Sequence, residues 1–168
     1  MISQLERYLD AAYVYRFSHS PNIVQDREDA RRYGINCISL AHLALKDLFN
    51  YRLPPGLMCS ELYADREHFR QVERLEDMQR GDLVWFGAAD PKIELAEFVP
   101  QYEDGQLVNW TDFPVKHVAI DTGERGDDYQ LLHSTYVEGT NVVWPLAEFE
   151  NYKRYKKLYG ITRLKNAA

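Results

Sequence analysis

Two hydrophobic periods divide the chain, and the change falls near Gly81. Before it, apolar residues recur at helical spacing. Ile2, Leu5, Leu9 and Tyr13 share one face, which predicts a first helix over residues 2–14. The Ser, Pro and Asn of Tyr15-Arg-Phe-Ser-His-Ser-Pro-Asn22 predict a loop, followed by a charged stretch from Asp26 to Arg32. Gly34 then breaks the pattern and Asn36 is a good N-cap. Ile38, Leu40, Ala41, Leu43, Ala44, Leu45, Leu48 and Phe49 predict a strongly apolar helix that stops near Asn50, before Leu53-Pro54-Pro55-Gly56. A weaker helix is expected from Ser60 to Phe69.

After Gly81 the runs become short, apolar and bounded by turns. Gly81 to Gly87, Val115 to Thr122, Tyr129 to Ser134, Thr140 to Trp144 and Tyr159 to Leu164 read as strands, with turns at Gly123-Glu-Arg-Gly126 and Glu138-Gly139. Helices first and hairpin-linked strands afterwards predict an α+β fold with an antiparallel sheet. The connection from Ala88 to Pro114 is long and acidic, a length that suits a functional lid and equally an ordinary surface excursion.

At 168 residues the chain suits one domain, 1–168. Twenty basic against 26 acidic side chains leave a net charge of −6, which gives no general attraction to nucleic acid or anionic lipid. No apolar run approaches the roughly 18 residues of a membrane span. The N-terminus lacks a secretory pattern, so a soluble cytoplasmic protein, or one exported by a non-classical route, is expected. No cofactor motif stands out. Lys153-Arg-Tyr-Lys-Lys157, with Arg163 and Lys165, reads as a solvated basic face.

The two cysteines, Cys37 and Cys59, supply neither a disulfide framework nor a zinc spacing. Cys37 sits where the apolar helix begins, where unpaired N–H groups and the positive dipole end favour a thiolate. A buried inert thiol is the alternative there, and for Cys59 it is the better reading. Among the histidines, His42 lies about 140° around the helix from Cys37. His19 and His68 fall in polar segments. His117 opens one strand and His133 closes the next, so a hairpin makes them neighbours. Cys37 facing His117, with His133 beside it, has the composition of a Cys-His hydrolase; two satisfied core histidines fit the pairing equally well.

The ordered segments Asn36-Cys37-Ile38-Ser39, Gly81-Asp82-Leu83-Val84-Trp85-Phe86, His117-Val118-Ala119-Ile120 and Leu132-His133-Ser134 resemble the NlpC-type peptidases. These are papain-like cysteine hydrolases known for cutting peptidoglycan stem peptides. The resemblance spans about Tyr15 to Leu164. It implies Cys37 as nucleophile, His117 as base, His133 as orienting residue, and Tyr15 on the oxyanion side of the site. It further implies a small peptide or muropeptide substrate cut at a γ-D-glutamyl–diamino-acid bond. Separately from the resemblance, Ser39, Trp85, Glu97 and Trp110 are candidate substrate-binding walls. Three features depart from the family pattern. Asn36 stands for the usual Asp, Ile38-Ser39 for Ser-Gly, and the connection between Phe86 and His117 is longer. A homologue weakened in catalysis and acting as a ligand-binding module is therefore the alternative. A zinc site of Cys37, His117 and His133 is a third reading, disfavoured because no two ligands are closely spaced.

Overall fold

The computed structural model of the chain describes residues 4–10, 12–16, 24–54 and 57–166. It is α+β. Among the described residues, helices α1 (Arg27–Tyr33), α2 (Cys37–Phe49) and α3 (Cys59–Ala64) precede most of the sheet. The strands are β1 (Phe69–Gln71), β2 (Leu83–Gly87), β3 (Tyr102–Glu103), β4 (Gln106–Leu107), β5 (Val115–Asp121), β6 (Gln130–Thr135), β7 (Thr140–Pro145) and β8 (Lys157–Leu164). Six form one antiparallel sheet in the order β1-β8-β2-β5-β6-β7, while β3 and β4 pair separately.

Period-two alternation builds a core on each face of this sheet. Leu83 and Trp85 of β2, Val118 and Ile120 of β5, and Leu132 of β6 pack with Leu40, Leu43 and Ala44 of α2. The intervening Val84, Phe86, Ala119 and Leu131 pack on the opposite face against Trp144, Phe149 and Tyr155. Gly81 admits the chain into β2 at φ +91, and a Cβ there would lie 2.6 Å from the Phe49 ring, so α2 can approach closely only over a glycine.

The start of α2 is fixed locally. The Asn36 side chain accepts from the Ser39 N–H at 3.0 Å, and Ser39 Oγ accepts from the Asn36 N–H at 2.9 Å, a reciprocal capping box. Asn50 ends the helix at φ 54. Replacing Asn36 with alanine leaves the Ser39 N–H without this acceptor and should destabilise the protein by about 1 kcal/mol, read as a lower denaturation midpoint in urea.

Several expected elements differ. The first helix is one 3₁₀ turn, Glu6–Leu9, after which Asp10 is extended; residues 2 and 11 lie outside the described set. Tertiary packing overrides the helical spacing there, because Leu5, Tyr8 and Tyr13 are buried and the Tyr8 carbonyl accepts from Asn141 Nδ2 on β7. The charged stretch at Asp26 to Arg32 is largely α1, capped by Asp26 accepting from the Asp29 N–H. The helix expected to reach Phe69 ends at Ala64, where the Asp65 carboxylate accepts from the N–H groups of Glu67 and His68 and turns the chain into β1. Within 88–114 the chain forms 3₁₀ turns and the β3–β4 hairpin. No helix among the described residues is long and apolar enough to cross a membrane.

Candidate functional site

The β5–β6 ladder is short. Its register pairs are Ile120↔Leu132 and Asp121↔Leu131, and towards His117 the strands carry no further pairs. Backbone polar groups of alternate residues point to the same side of a strand. Asp121 exchanges bonds with the β2 side, through Asp82 and Gly81, so Ile120 and Val118 present theirs towards β6. With β6 unpaired here, the Val118 N–H donates instead to the Cys37 sulfur. The N-terminus of α2 thus delivers Cys37 to the open end of the sheet. The strand-like bridge between Tyr15 and Ile35, with the Tyr15 N–H donating to the Gly139 carbonyl at 2.8 Å, ties Tyr15 beside it.

A cleft of about 400 Å³ opens at this point, lined by Tyr15, Cys37, Cys59, Trp110, His117 and Tyr155 among others. His117 Nε2 lies 2.8 Å from His133 Nδ1, so the Nδ1 side of His117 remains for the Cys37 sulfur, with which the ring is hydrogen-bonded. Tyr155 stacks on the His117 ring at 4.2 Å between centroids and 26° between planes, and its hydroxyl is tied to Thr135 Oγ1 at 2.8 Å. His133 is fully buried between Trp144 and Phe149, with ring centroids 4.3 and 4.6 Å away.

The electrostatics follow from these contacts. A hydrogen bond from the Cys59 thiol, then the ring and charge of His117 and the Val118 N–H, hold the Cys37 thiol well below its ordinary value, against burial. The same sulfur–sulfur hydrogen bond, together with burial and the Cys37 charge, pushes Cys59 well above its own. Burial, and next the charge of His117, hold His133 well below the usual imidazole range. A neutral His133 with its lone pair at Nδ1 accepts from the His117 Nε2–H. The remaining His133 N–H at Nε2 has no hydrogen-bond partner among the described residues and sits between aromatic rings.

His42 is likewise buried, its Nδ1 accepts from the Leu53 N–H at 3.1 Å, and burial lowers its pKa. It is a structural residue. Because the unfolded chain protonates both histidines near pH 6.5 while the native state resists, the unfolded state binds more protons below that value. Stability present above about pH 6.5 should therefore fall as the pH drops, read as a lower chemical-denaturation midpoint at about pH 5 than at about pH 7.5.

Of the residues expected at the site, Cys37, His117 and His133 come together, and Tyr15 and Trp110 line the cleft. Three do not. Trp85 is wholly buried on the helix side of the sheet, its indole N–H donating to Thr162 Oγ1 at 2.9 Å, because its position on β2 alternates inward. Ser39 is buried and its hydroxyl is used by the capping box. Glu97 is exposed in the 3₁₀ turn Leu95–Glu97, away from the cleft lining. Arg163, expected on a basic surface, is buried against Asp82. His68 is exposed as expected and bridges to Asp65, and His19 lies outside the described residues.

Cys59 is the main addition. It was expected to be inert, yet its thiol faces the Cys37 sulfur across the cleft. Its place at a loop-to-helix junction, like that of Cys37, was the available signal. Tyr155 was hidden inside a basic run. The Cys37, His117 and His133 set does not converge on a common centre, since the two imidazoles face each other. No group of three or more His, Cys, Asp or Glu among the described residues is disposed to hold a metal ion. Comparison of the chain with protein-family models, curated proteins and solved structures gives no match.

Proposed function

We propose that the protein is a thiol-dependent amidase of papain-like NlpC type that hydrolyses an amide bond in peptidoglycan stem peptides. The observation that carries this reading is the relay from the Cys37 sulfur through the His117 ring to His133, at the wall of an open cleft. In this reading the Cys37 thiolate attacks the scissile carbonyl carbon, and the Cys37 backbone N–H and the Tyr15 hydroxyl receive the developing oxyanion. Protonated His117 gives its Nδ1 proton to the leaving amine as the C–N bond breaks, which leaves a thioester on Cys37. Water, deprotonated by the now neutral His117, then attacks the thioester and releases the acid.

His133 acts through His117. Its acceptor nitrogen holds the imidazolium in the orientation that aims the other ring nitrogen at sulfur, and the Tyr155 ring restricts the remaining rotation. The departures at Asn36, Ile38 and Ser39 are compatible with activity, because these residues build the helix start that supports the thiolate. Lys116 and Arg154 line the cleft, and among the described residues no Asp or Glu does, which suits a peptide bearing carboxylates. The Trp110, Phe113 and Leu57 side chains supply apolar wall.

Turnover of a panel of γ-D-glutamyl–diamino-acid and ordinary α-linked peptides, with Cys37→Ala as control, tests the reading. Cleavage of the γ-linked members that disappears in the control is the expected result. Binding of these peptides with no turnover, unaffected by Cys37→Ala, identifies a ligand-binding module instead.

A further inference from the structure

Amide hydrolysis needs one sulfur as nucleophile, and here a second thiol stands beside it. Helices α2 and α3 both pack against β5, and their first residues, Cys37 and Cys59, meet across the cleft with the sulfurs hydrogen-bonded to each other. Both are free thiols, both are half-buried, and both line the same solvent-open cavity. A small oxidant that enters the cleft therefore reaches an activated sulfur with a second thiol already in contact.

We propose that Cys37 and Cys59 form a reversible peroxide-responsive dithiol, in which a hydroperoxide oxidises Cys37 and Cys59 closes the product into a disulfide. In the first step the Cys37 thiolate attacks one peroxide oxygen and the O–O bond breaks. Cys37 becomes a sulfenic acid, and the departing oxygen leaves as water or an alcohol, protonated by His117. The peroxide is reduced and the sulfur is oxidised by two electrons. In the second step the Cys59 sulfur attacks the sulfenic sulfur and displaces hydroxide. The proton released by the Cys59 thiol passes through neutral His117 to that hydroxide, so water leaves. An external dithiol then returns both thiols and is itself oxidised to a disulfide.

The order of the two steps is written into the environment. The Cys59 thiol is held protonated chiefly by its hydrogen bond to the Cys37 sulfur, while Arg154 and Lys116 pull the other way. Oxidation of Cys37 to the neutral acid removes the neighbouring anion, so that burial alone still opposes ionisation of Cys59 while the two cations favour it. The second thiol is thus most strongly held protonated while Cys37 is a working nucleophile, and that hold weakens once Cys37 is oxidised. The disulfide occupies the proposed nucleophile and stops turnover, and it shields Cys37 from irreversible sulfinic and sulfonic acids.

The inference rests on the Cys37 thiolate of the proposed amidase but not on hydrolysis. The experiment exposes the full chain to hydrogen peroxide, blocks remaining thiols with an alkylating reagent and maps the peptides by mass spectrometry, before and after dithiothreitol. The wild-type protein should lose both of its two cysteine thiols, carry an intrachain Cys37–Cys59 cross-link, and recover both thiols on reduction. Cys59→Ser and Cys59→Ala should instead accumulate sulfinic and sulfonic Cys37 that dithiothreitol does not restore. Wild-type Cys37 overoxidised beside a free Cys59, cross-linked only between chains, or unreacted with peroxide overturns the dithiol. A chain that forms the cross-link but cleaves no amide refutes the amidase alone, and an active amidase whose thiols never link refutes the dithiol alone.

Discussion

For the proposed amidase, replacing Cys37 with alanine should lower amide turnover by about 10⁵-fold or more, to the level left by binding alone. His117→Ala should cost nearly as much, because the ring lowers the Cys37 pKa and in the proposed mechanism would also supply the proton to the leaving amine. The double variant should be no slower than either single one, since the two side chains act as one unit. Near-additive losses would mean that sulfur and ring work separately, contrary to their hydrogen bond. Cys37 is half-buried and its deletion removes a single sulfur atom, so the thermal midpoint of Cys37→Ala should stay within a few degrees of the parent.

Asp82→Ala should act on the fold instead, lowering stability by about 3–5 kcal/mol. The Asp82 side chain is 1% exposed and receives both arms of Arg163, Nε and Nη2, at 2.7 Å each, while also accepting from the Gln79 N–H at 2.8 Å. Arg163 Nη2 reaches on to the Asp77 carbonyl at 2.7 Å. Removing the carboxylate strands a guanidinium that is only 10% exposed, and the penalty is the charge left without its partner. In a chain of this size the thermal midpoint should fall by roughly 10 °C. Asp82→Leu combined with Arg163→Met should recover most of the loss, because no charge then remains to be buried. A drop below about 1 kcal/mol in Asp82→Ala, the value typical of a solvated pair, would contradict the buried bidentate geometry.

These two effects mark what the chain discloses by itself and what it withholds. The start of α2 at Cys37 and its stop near Asn50 were legible, because Gly34, Asn36 and Asn50 are local signals and the apolar period between them is strong. The strands β2, β5, β6, β7 and β8 were legible from runs bounded by turns. The His117–His133 contact followed from hairpin logic, and its 2.8 Å separation agrees with that. Long-range partners were not legible. The Gly81-Asp82 motif is visible, but nothing local points from Asp82 to Arg163, and a basic tail looked like surface. Trp85 was misassigned to the cleft because an aromatic residue on a short strand has two faces to choose from; burial under α2 decided it. Strand β1 is three residues long and extended only because β8 pairs with it. The Cys59 thiol reads as inert in sequence because its partner lies on another helix, and only packing on β5 brings α3 to it.

The surroundings of Cys37, the His117 ring among them, hold its thiol well below the ordinary value. The most direct measurement is the rate of iodoacetamide alkylation at Cys37 as a function of pH, followed by peptide mapping so that Cys59 is scored separately. The wild-type rate at Cys37 should level off well below the ordinary thiol value of about 8.5, and His117→Ala should move that inflection upward. A Cys37 that titrates like a free thiol, with the same curve in His117→Ala, would contradict the account.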